Sequence, residues 1–301
     1  MPSAFFNRTP RPVPALVAFC LLAGLAPAAL AATESLNDKT DLPPSRYLDV
    51  EIGRAPRVDT PQFVLGSALT YGPDYLGASH GSLSLQPVLA VRFGRFKLSS
   101  SGGSSVMNFG SVNDDAGASA ELLHTSRLRI KTSLRLGGGR SSGDSPDLAG
   151  LPDIRRTVFA RLSTSYALTD SLSADTTLGW DLLGRGNGGF VSTGLAYRWR
   201  VTPQTEFTTG LGITWANATR MNNLFGVPPD AQTGMRTAFE PGSGWQDAGA
   251  SIGFMSSLSS DWIAFGGVSV TKVLGHAADS PLTTAATGYS ARMGIAWRCC
   301  K

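Results

Sequence analysis

The stretch Arg127 to Gly138, RLRIKTSLRLGG, separates its side chains by chemistry with a period of two. Leu128, Ile130, Thr132, Leu134 and Leu136 fall on one side, and Arg127, Arg129, Lys131, Ser133 and Arg135 on the other. A helix, with its period of 3.6, mixes these sets, whereas a strand points successive side chains to opposite faces. The segment therefore reads as a strand with one oily wall and one cationic wall. A single such strand fits the surface of a soluble sheet, so the decision rests on whether the pattern recurs.

It recurs through most of the chain. Phe63, Leu65, Leu69 and Tyr71 alternate with Val64, Gly66, Ala68 and Thr70, and Leu83, Leu85, Pro87, Leu89, Val91 and Phe93 stand opposite Ser84, Gln86 and Arg92. Arg95 to Ser100 repeats the pattern in short form, and Ala118 to Leu123 carries it faintly. Thr157 to Leu168, Leu172 to Leu182 and Phe190 to Val201 follow. Glu206 to Trp215, Asp247 to Leu258, Trp262 to Val273 and Gly288 to Trp297 complete the set, with a bulge expected at Gly266-Gly267. The result is about 12 strands (roughly 10 to 14), most near the ~9 to 11 residues of a tilted membrane-spanning strand.

The connections sort by length in alternation. Gly94, His124 to Ser126, Thr169-Asp170, Thr202-Pro203 and Ser259-Ser260 are tight. Gly72 to Gly81, Ser101 to Gly117, Arg140 to Arg156, Asn217 to Gln246 and Leu274 to Thr287 are long, and the connector after Leu183 is intermediate. Up-and-down barrels of the outer membrane have short periplasmic turns and longer external loops. Trp199, Trp262 and Trp297 lie near the tight-turn ends and Trp180 and Trp215 near the long-loop ends, as two aromatic girdles would. The fold class is thus all-β: an antiparallel, up-and-down transmembrane β-barrel over residues 62–298.

Composition agrees with that class. Charged residues make up 16% of the chain, glycine contributes 35 residues and mean hydropathy is neutral, as expected where apolar residues are spread in alternation. The formal charge of +4 falls to +2 without the leader, which carries Arg8 and Arg11 and no acid, and this excludes a nucleic-acid partner as the reading. Arg8 and Arg11 precede the apolar run Val13 to Leu30, and Ala29-Leu30-Ala31 supplies small residues for cleavage after Ala31, so residues 1–31 read as a signal peptide. Cys20 follows Phe19 rather than a small residue, which argues against a lipoprotein site. Residues 32–61, polar and proline-rich, read as a periplasmic, disordered tether, and 299–301 as a C-terminal tail. Cys299 and Cys300 are neighbours, unsuited to ordinary disulfide geometry, so no disulfide framework is expected.

Specific motifs add a resemblance. PDYLGASHGSLSLQPVLAVRFGRF (Pro73 to Phe96), DLAGLPDIRRT (Asp147 to Thr157), GRGNGGF (Gly184 to Phe190), NNLFGV (Asn222 to Val227) and LGHAADSPL (Leu274 to Leu282) occur in order, each at a loop or strand end. Together they resemble the MipA/OmpV family of outer-membrane proteins, with Pro73, Tyr75, Gly77, Phe225, Gly226, Asp279, Ser280 and Pro281 as motif residues in the loops. The resemblance implies an outer-membrane barrel. It further implies a scaffold for peptidoglycan biosynthesis, joining a lytic transglycosylase to a bifunctional penicillin-binding protein. The chain departs from the family at its end, where Cys299 stands in place of a terminal aromatic residue.

The inward set expected from the alternation is cationic: Arg92, Arg95, Lys97, Arg127, Arg129, Lys131, Arg135, Arg161, Arg198 and Arg200, against Glu121, Asp175, Asp181 and Glu206. Internal ion pairs, Arg161 with Asp175 for example, are one use of such a wall; a narrow anion-biased channel is the other. A surface-exposed adhesion or ligand-binding barrel is a further alternative. His276, Asp279 and Ser280 share one long connection with His80 in another, a set that brings hydrolysis to mind, but HAADSP reads more simply as a turn or helix cap. His124 is expected to be solvated. GGGRSSGDS, Gly137 to Ser145, lacks the ending of a phosphate-binding loop. No catalytic, cofactor-binding or metal site is assigned, and the expected partners are outer-membrane lipid and the murein enzymes.

Overall fold

A computed structural model describes residues 62–100, 116–137, 139–231 and 236–299. The expected leader, the tether and the Cys300-Lys301 end lie outside these residues. Twelve strands follow one another around a closed antiparallel barrel. They are β1 (Gln62–Pro73), β2 (Gly81–Phe93), β3 (Phe96–Ser99), β4 (Gly117–His124), β5 (Leu128–Gly137) and β6 (Thr157–Ala167), followed by β7 (Leu172–Asp181), β8 (Gly189–Thr202), β9 (Thr205–Ala216), β10 (Gly244–Ser257), β11 (Trp262–Val273) and β12 (Thr287–Cys299). The seam closes where β1 pairs β12, from Phe63 opposite Cys299 to Tyr71 opposite Ala291. No helix among the described residues is long and apolar enough to cross a membrane.

The outer surface is made of the oily rows. Leu83, Leu85, Tyr289 and Met293 are each at least 64% exposed, and Leu65, Leu136, Leu195, Leu211 and Val268 join them around the ring. Withdrawing one such side chain from water is worth about 1.5–3 kcal/mol, so a belt of them belongs in hydrocarbon. Closure leaves no open sheet edge facing lipid. The short turns that join the strands at one end share a device. Thr125, Thr169 and Ser259 turn their hydroxyls back to accept backbone N–H groups two or three residues on, at 2.9 to 3.2 Å. Gly94 supplies the positive φ of 54° that the β2–β3 turn requires.

The interior corrects the expectation of a uniformly polar lumen. Val64, Ala68, Val88, Ala90, Met255, Ile263, Phe265 and Ala296 form a buried apolar cluster inside the half nearer the short turns, on the wall from β10 round to β2. The alternation could not show this, because these residues lie on the face that elsewhere carries polar groups.

Among the described residues three register shifts occur, at Glu121/Leu123, Arg200/Thr202 and Trp245/Asp247. The bulge expected at Gly266-Gly267 is not among them: β11 pairs in continuous register on both sides. A Cβ at Gly266 would lie 2.8 Å from the Phe254 ring, and one at Gly267 2.8 Å from the Ile252 carbonyl oxygen, so these glycines serve close packing. Cys299 is disulfide-bonded, against the expectation for the terminal cysteines. At that end β12 is laddered onto both β1 and β11.

Candidate functional site

The long connections fold together over the external mouth. The connection after β9 begins with helix α1 (Ala218–Phe225), whose N-cap Asn217 accepts the Arg220 N–H at 3.0 Å. Its apolar side, Met221 and Phe225, packs against Ala216, Val273 and Ala277. Ala277 belongs to the single turn α2 (Gly275–Ala278) in the connection after β11. Beside this lies a second apolar cluster of Leu148, Leu151, Val227 and Leu282, with Tyr75 and Phe239 against it. Four separate connections thus supply these two neighbouring clusters.

Polar contacts knit the same cap. Ser280 Oγ donates to the Phe225 carbonyl at 2.6 Å and accepts the Leu282 N–H at 3.1 Å. Tyr75 donates to the Leu282 carbonyl at 2.9 Å, and Gly77, at φ 99°, accepts the Ala285 N–H at 2.9 Å. Asn187 is buried; its side chain donates to the Arg155 carbonyl at 3.1 Å and accepts from Asn223 at 3.3 Å. Gly226 ends α1 because its N–H bonds Asn222 and a Cβ would collide with that carbonyl. Pro73 closes β1 and leads into Tyr75, whereas Asp279 caps the C-terminal end of α2, with Pro281 after Ser280. Motifs scattered over two hundred residues of sequence therefore meet as one cap.

Burial raises the Tyr75 hydroxyl above its ordinary value, and burial lowers Arg140, whose guanidinium donates to the Leu224 carbonyl at 2.8 Å. Asp153 is held below the ordinary carboxylate value because it accepts the Ser142 N–H at 2.7 Å. A carboxylate with a depressed folded value contributes its stabilisation above its unfolded value and loses it as pH falls through the folded one. The Ser142 amide signal, followed by NMR during acidification, is expected to shift with a midpoint below 3.8, and Asp153→Asn to remove that shift. Tyr75→Phe removes one partly buried hydrogen bond and should weaken the cap by about 1 kcal/mol, read as faster amide exchange at Ala285 with that of the strands unchanged.

The residues that suggested hydrolysis have structural partners. Ser280 gives its proton to a backbone carbonyl, and His276 Nδ1 lies 3.0 Å from the Pro241 carbonyl oxygen. Ser79 Oγ and Asp147 both approach His80 at the same nitrogen, Nδ1, at 3.2 and 3.8 Å, so no relay runs through that ring.

On the wall opposite the apolar cluster stand the basic residues. Arg135 is buried, with a guanidinium nitrogen 3.3 Å from Ser99 Oγ, and Lys131 lies in register with Glu121. Lys97 is in register with Arg92, whose Nε reaches the Gly94 carbonyl at 3.5 Å. Arg129 pairs with Glu121 at 3.6 Å. Arg161 packs over Phe159 and Phe190, and Arg220 of α1 covers the same two rings at 5.4 and 4.7 Å. The expected partnership of Arg161 with Asp175 is not formed by the register, which sets Arg161 opposite Gly179 and Asp175 opposite Ser165.

Arg95 and Arg127 correct the inward assignment too. Both are exposed in tight turns, Arg95 lying over the outward Phe96 ring. Glu206 is buried beside Arg198 at 2.9 Å, an ion pair by distance and not an aligned hydrogen bond. The Arg198 side chain is 37% exposed, so solvent screens the pair, and Glu206→Ala should lower the denaturant midpoint of the folded barrel modestly, and more than Glu206→Gln.

Sequence reasoning missed Arg220, Arg292 and Arg298. Arg292 lies on the polar row of β12 and donates to Thr70 Oγ1 and Gln86 Oε1, both at 3.2 Å; its alternation with Tyr289, Met293 and Ile295 was the available signal. Arg298 is buried and donates to the Ser260 carbonyl at 2.9 Å. Among the tryptophans, Trp180, Trp215, Trp262 and Trp297 are exposed on the outer face, and Trp199 stacks between Tyr197 and Phe207. Trp245, omitted from the girdle, is 51% exposed and pairs in register with Trp215.

The profile of a family described as MltA-interacting protein MipA matches residues 65–299. The chain belongs to the MipA family. No curated protein matches it. Among solved structures it is similar to the outer-membrane expressed OmpT of Vibrio cholerae, at 9% identity and a TM-score of 0.39, over 80% of this chain and 97% of that one. It is similar also to the KdgM porin, at 11% identity and a TM-score of 0.39 over 78% and 98% of the two chains. The anion-selective porin from Comamonas acidovorans matches at 10% identity and a TM-score of 0.37 over 80% and 99%. With its closed ring, lipid-facing belt and family, this MipA-family chain is an outer-membrane β-barrel.

Proposed function

We propose that this MipA-family barrel is a structural scaffold, exported by a cleaved signal peptide, on which murein-synthesising and murein-remodelling enzymes assemble. The observation that carries the reading is the family match across residues 65–299, under a description that names an interaction with MltA. The partners we propose are a lytic transglycosylase and a bifunctional penicillin-binding protein. The interior supports a role exercised at the surface. An apolar cluster fills part of the inner half and the loop cap packs across the external end. The short turns and the N-terminal tether are then the elements offered to periplasmic enzymes.

In-cell crosslinking, affinity retrieval and mass spectrometry test this. Enrichment of a lytic transglycosylase or a penicillin-binding protein over an unrelated barrel is the expected result. Retrieval of assembly factors and abundant porins alone would remove the scaffold reading. The basic wall favours a second reading, a narrow anion-biased channel, through Arg129, Lys131, Arg135 and Arg161. Neutralising Arg129, Lys131 and Arg135 together should reduce anion preference in planar bilayers, and an electrically silent barrel removes that reading.

A further inference from the structure

The external rim over β6 and β7 carries three exposed arginines. Arg155 and Arg156 end the connection that leads into β6, and Arg185 sits in the connection from β7 to β8. Backbone contacts hold them together. The Arg185 guanidinium donates to the Arg156 carbonyl at 2.5 Å, and the buried Asn187 side chain donates to the Arg155 carbonyl at 3.1 Å. Gly184 and Gly186, at φ 63° and 82°, shape the turn on which Arg185 stands. The stem of Arg156 lies over Gly139, where a Cβ would collide with its Cγ.

The guanidiniums keep donors to spare. None of the three forms an ion pair with an acid among the described residues. The carboxylates adjoining them in sequence are held by neutral donors instead. Asp153 accepts the Ser142 N–H at 2.7 Å, and Asp181 accepts the N–H groups of Leu183 and Asn187 at 3.1 and 3.0 Å. A guanidinium has five N–H donors, so this rim offers a fixed set of them to an acceptor from outside.

Beside the arginines the wall is oily. Trp180 of β7, then Leu182 and Leu183 just past its end, are exposed. The Leu182 N–H bonds the carbonyl of Val158 at 2.9 Å, and Val158 follows Arg156 by two residues, so the cationic and apolar surfaces adjoin. A free anion would use only the first of these surfaces. An amphiphile with phosphate on its head and acyl chains beneath uses both.

We propose that Arg155, Arg156 and Arg185 dock the phosphorylated headgroup of an outer-leaflet glycolipid, with its acyl chains against Trp180, Leu182 and Leu183. Guanidinium forks match phosphate oxygens in geometry and are more weakly hydrated than ammonium groups. The acyl contacts continue the lipid-facing belt, and the long connections that carry the arginines lie on the external side. The proposal is independent of the scaffold and channel readings, since it requires neither a protein partner nor conduction.

Native mass spectrometry of the full barrel, extracted folded in detergent and titrated with bisphosphorylated lipid A at constant ionic strength, tests it. Lipid A should be retained in preference to its dephosphorylated form and to phosphatidylglycerol. A basic side chain near a membrane surface contributes about fivefold in affinity. On that scale Arg156→Gln should weaken binding about fivefold, and Arg155→Gln, Arg156→Gln and Arg185→Gln combined about a hundredfold. The heat-modifiable gel mobility of the folded barrel should be retained in both. Leu182→Ser should weaken binding as well, and Arg95→Gln, at the opposite rim, should bind as the wild type does. Equal retention of the dephosphorylated lipid or of phosphatidylglycerol, displacement by equimolar inorganic phosphate, or an affinity unchanged in the combined variant overturns the assignment.

Discussion

Phe225→Ala should release the external cap while leaving the barrel standing. Phe225 is 1% exposed and touches the cap twice, through its ring in the α1 cluster and through its carbonyl, which takes the Ser280 hydroxyl. Truncating a buried phenylalanine destabilises by about 3–5 kcal/mol, and the surrounding ladder cannot share that loss, because α1 meets few other elements. The loss should appear as local opening: protease cleavage within 217–243 and 274–286 at least a hundredfold faster, with the folded gel band unchanged. Cleavage at the wild-type rate would show that the loops are held by something other than this core.

Gly66→Val should prevent the barrel from closing. Gly66 faces Ala296 across the seam, and a Cβ there would collide with the Ile295 carbonyl oxygen and with Ala296 itself. Gly294 on the partner strand is equally confined, by the Phe265 ring and the Ser67 carbonyl oxygen. These contacts are to backbone or to packed side chains, so relief requires the two strands to part. Strand interiors ordinarily gain from a valine in place of glycine, which gives the experiment its edge. The expected outcome is loss of the heat-modifiable folded species and near-complete absence from purified outer membranes. Gly143→Val, in a loop where a Cβ finds only Ser141 at 3.9 Å, is the matched control and should assemble normally.

The barrel was legible because lipid enforces the alternation more strictly than water does. Leu83, Leu85 and Leu89 on β2, or Val191, Leu195 and Tyr197 on β8, face hydrocarbon at every second position, and a single slip would place serine or arginine there. The lumen was less legible, since an interior wall tolerates any side chain that finds a partner. Val64, Ile263 and Phe265 pack together inside, and Phe159 and Phe190 face inward to carry guanidiniums, so apolar character alone does not name a face. Arg95 and Arg127 were misplaced because parity extends only as far as the ladder, and both sit just beyond it. The cap was foreshadowed only by motif residues such as Phe225 and Ser280, whose meeting across fifty-five positions depends on which loops become neighbours. Sequence spacing does not carry that information. His124 escaped for a related reason: the register shift at Glu121/Leu123 reverses the alternation just before it, and the ring ends mostly buried.

Tyr75 lies on the first external connection and Leu282 on the last, 207 residues apart, and their hydrogen bond spans the seam. Contacts between chain ends form late, after the loop-closure entropy of all that intervenes has been met. The cap is consequently a certificate of completed assembly. A binder raised against the surface where these two connections touch will recognise finished barrels and pass over chains whose first and last strands have not yet met.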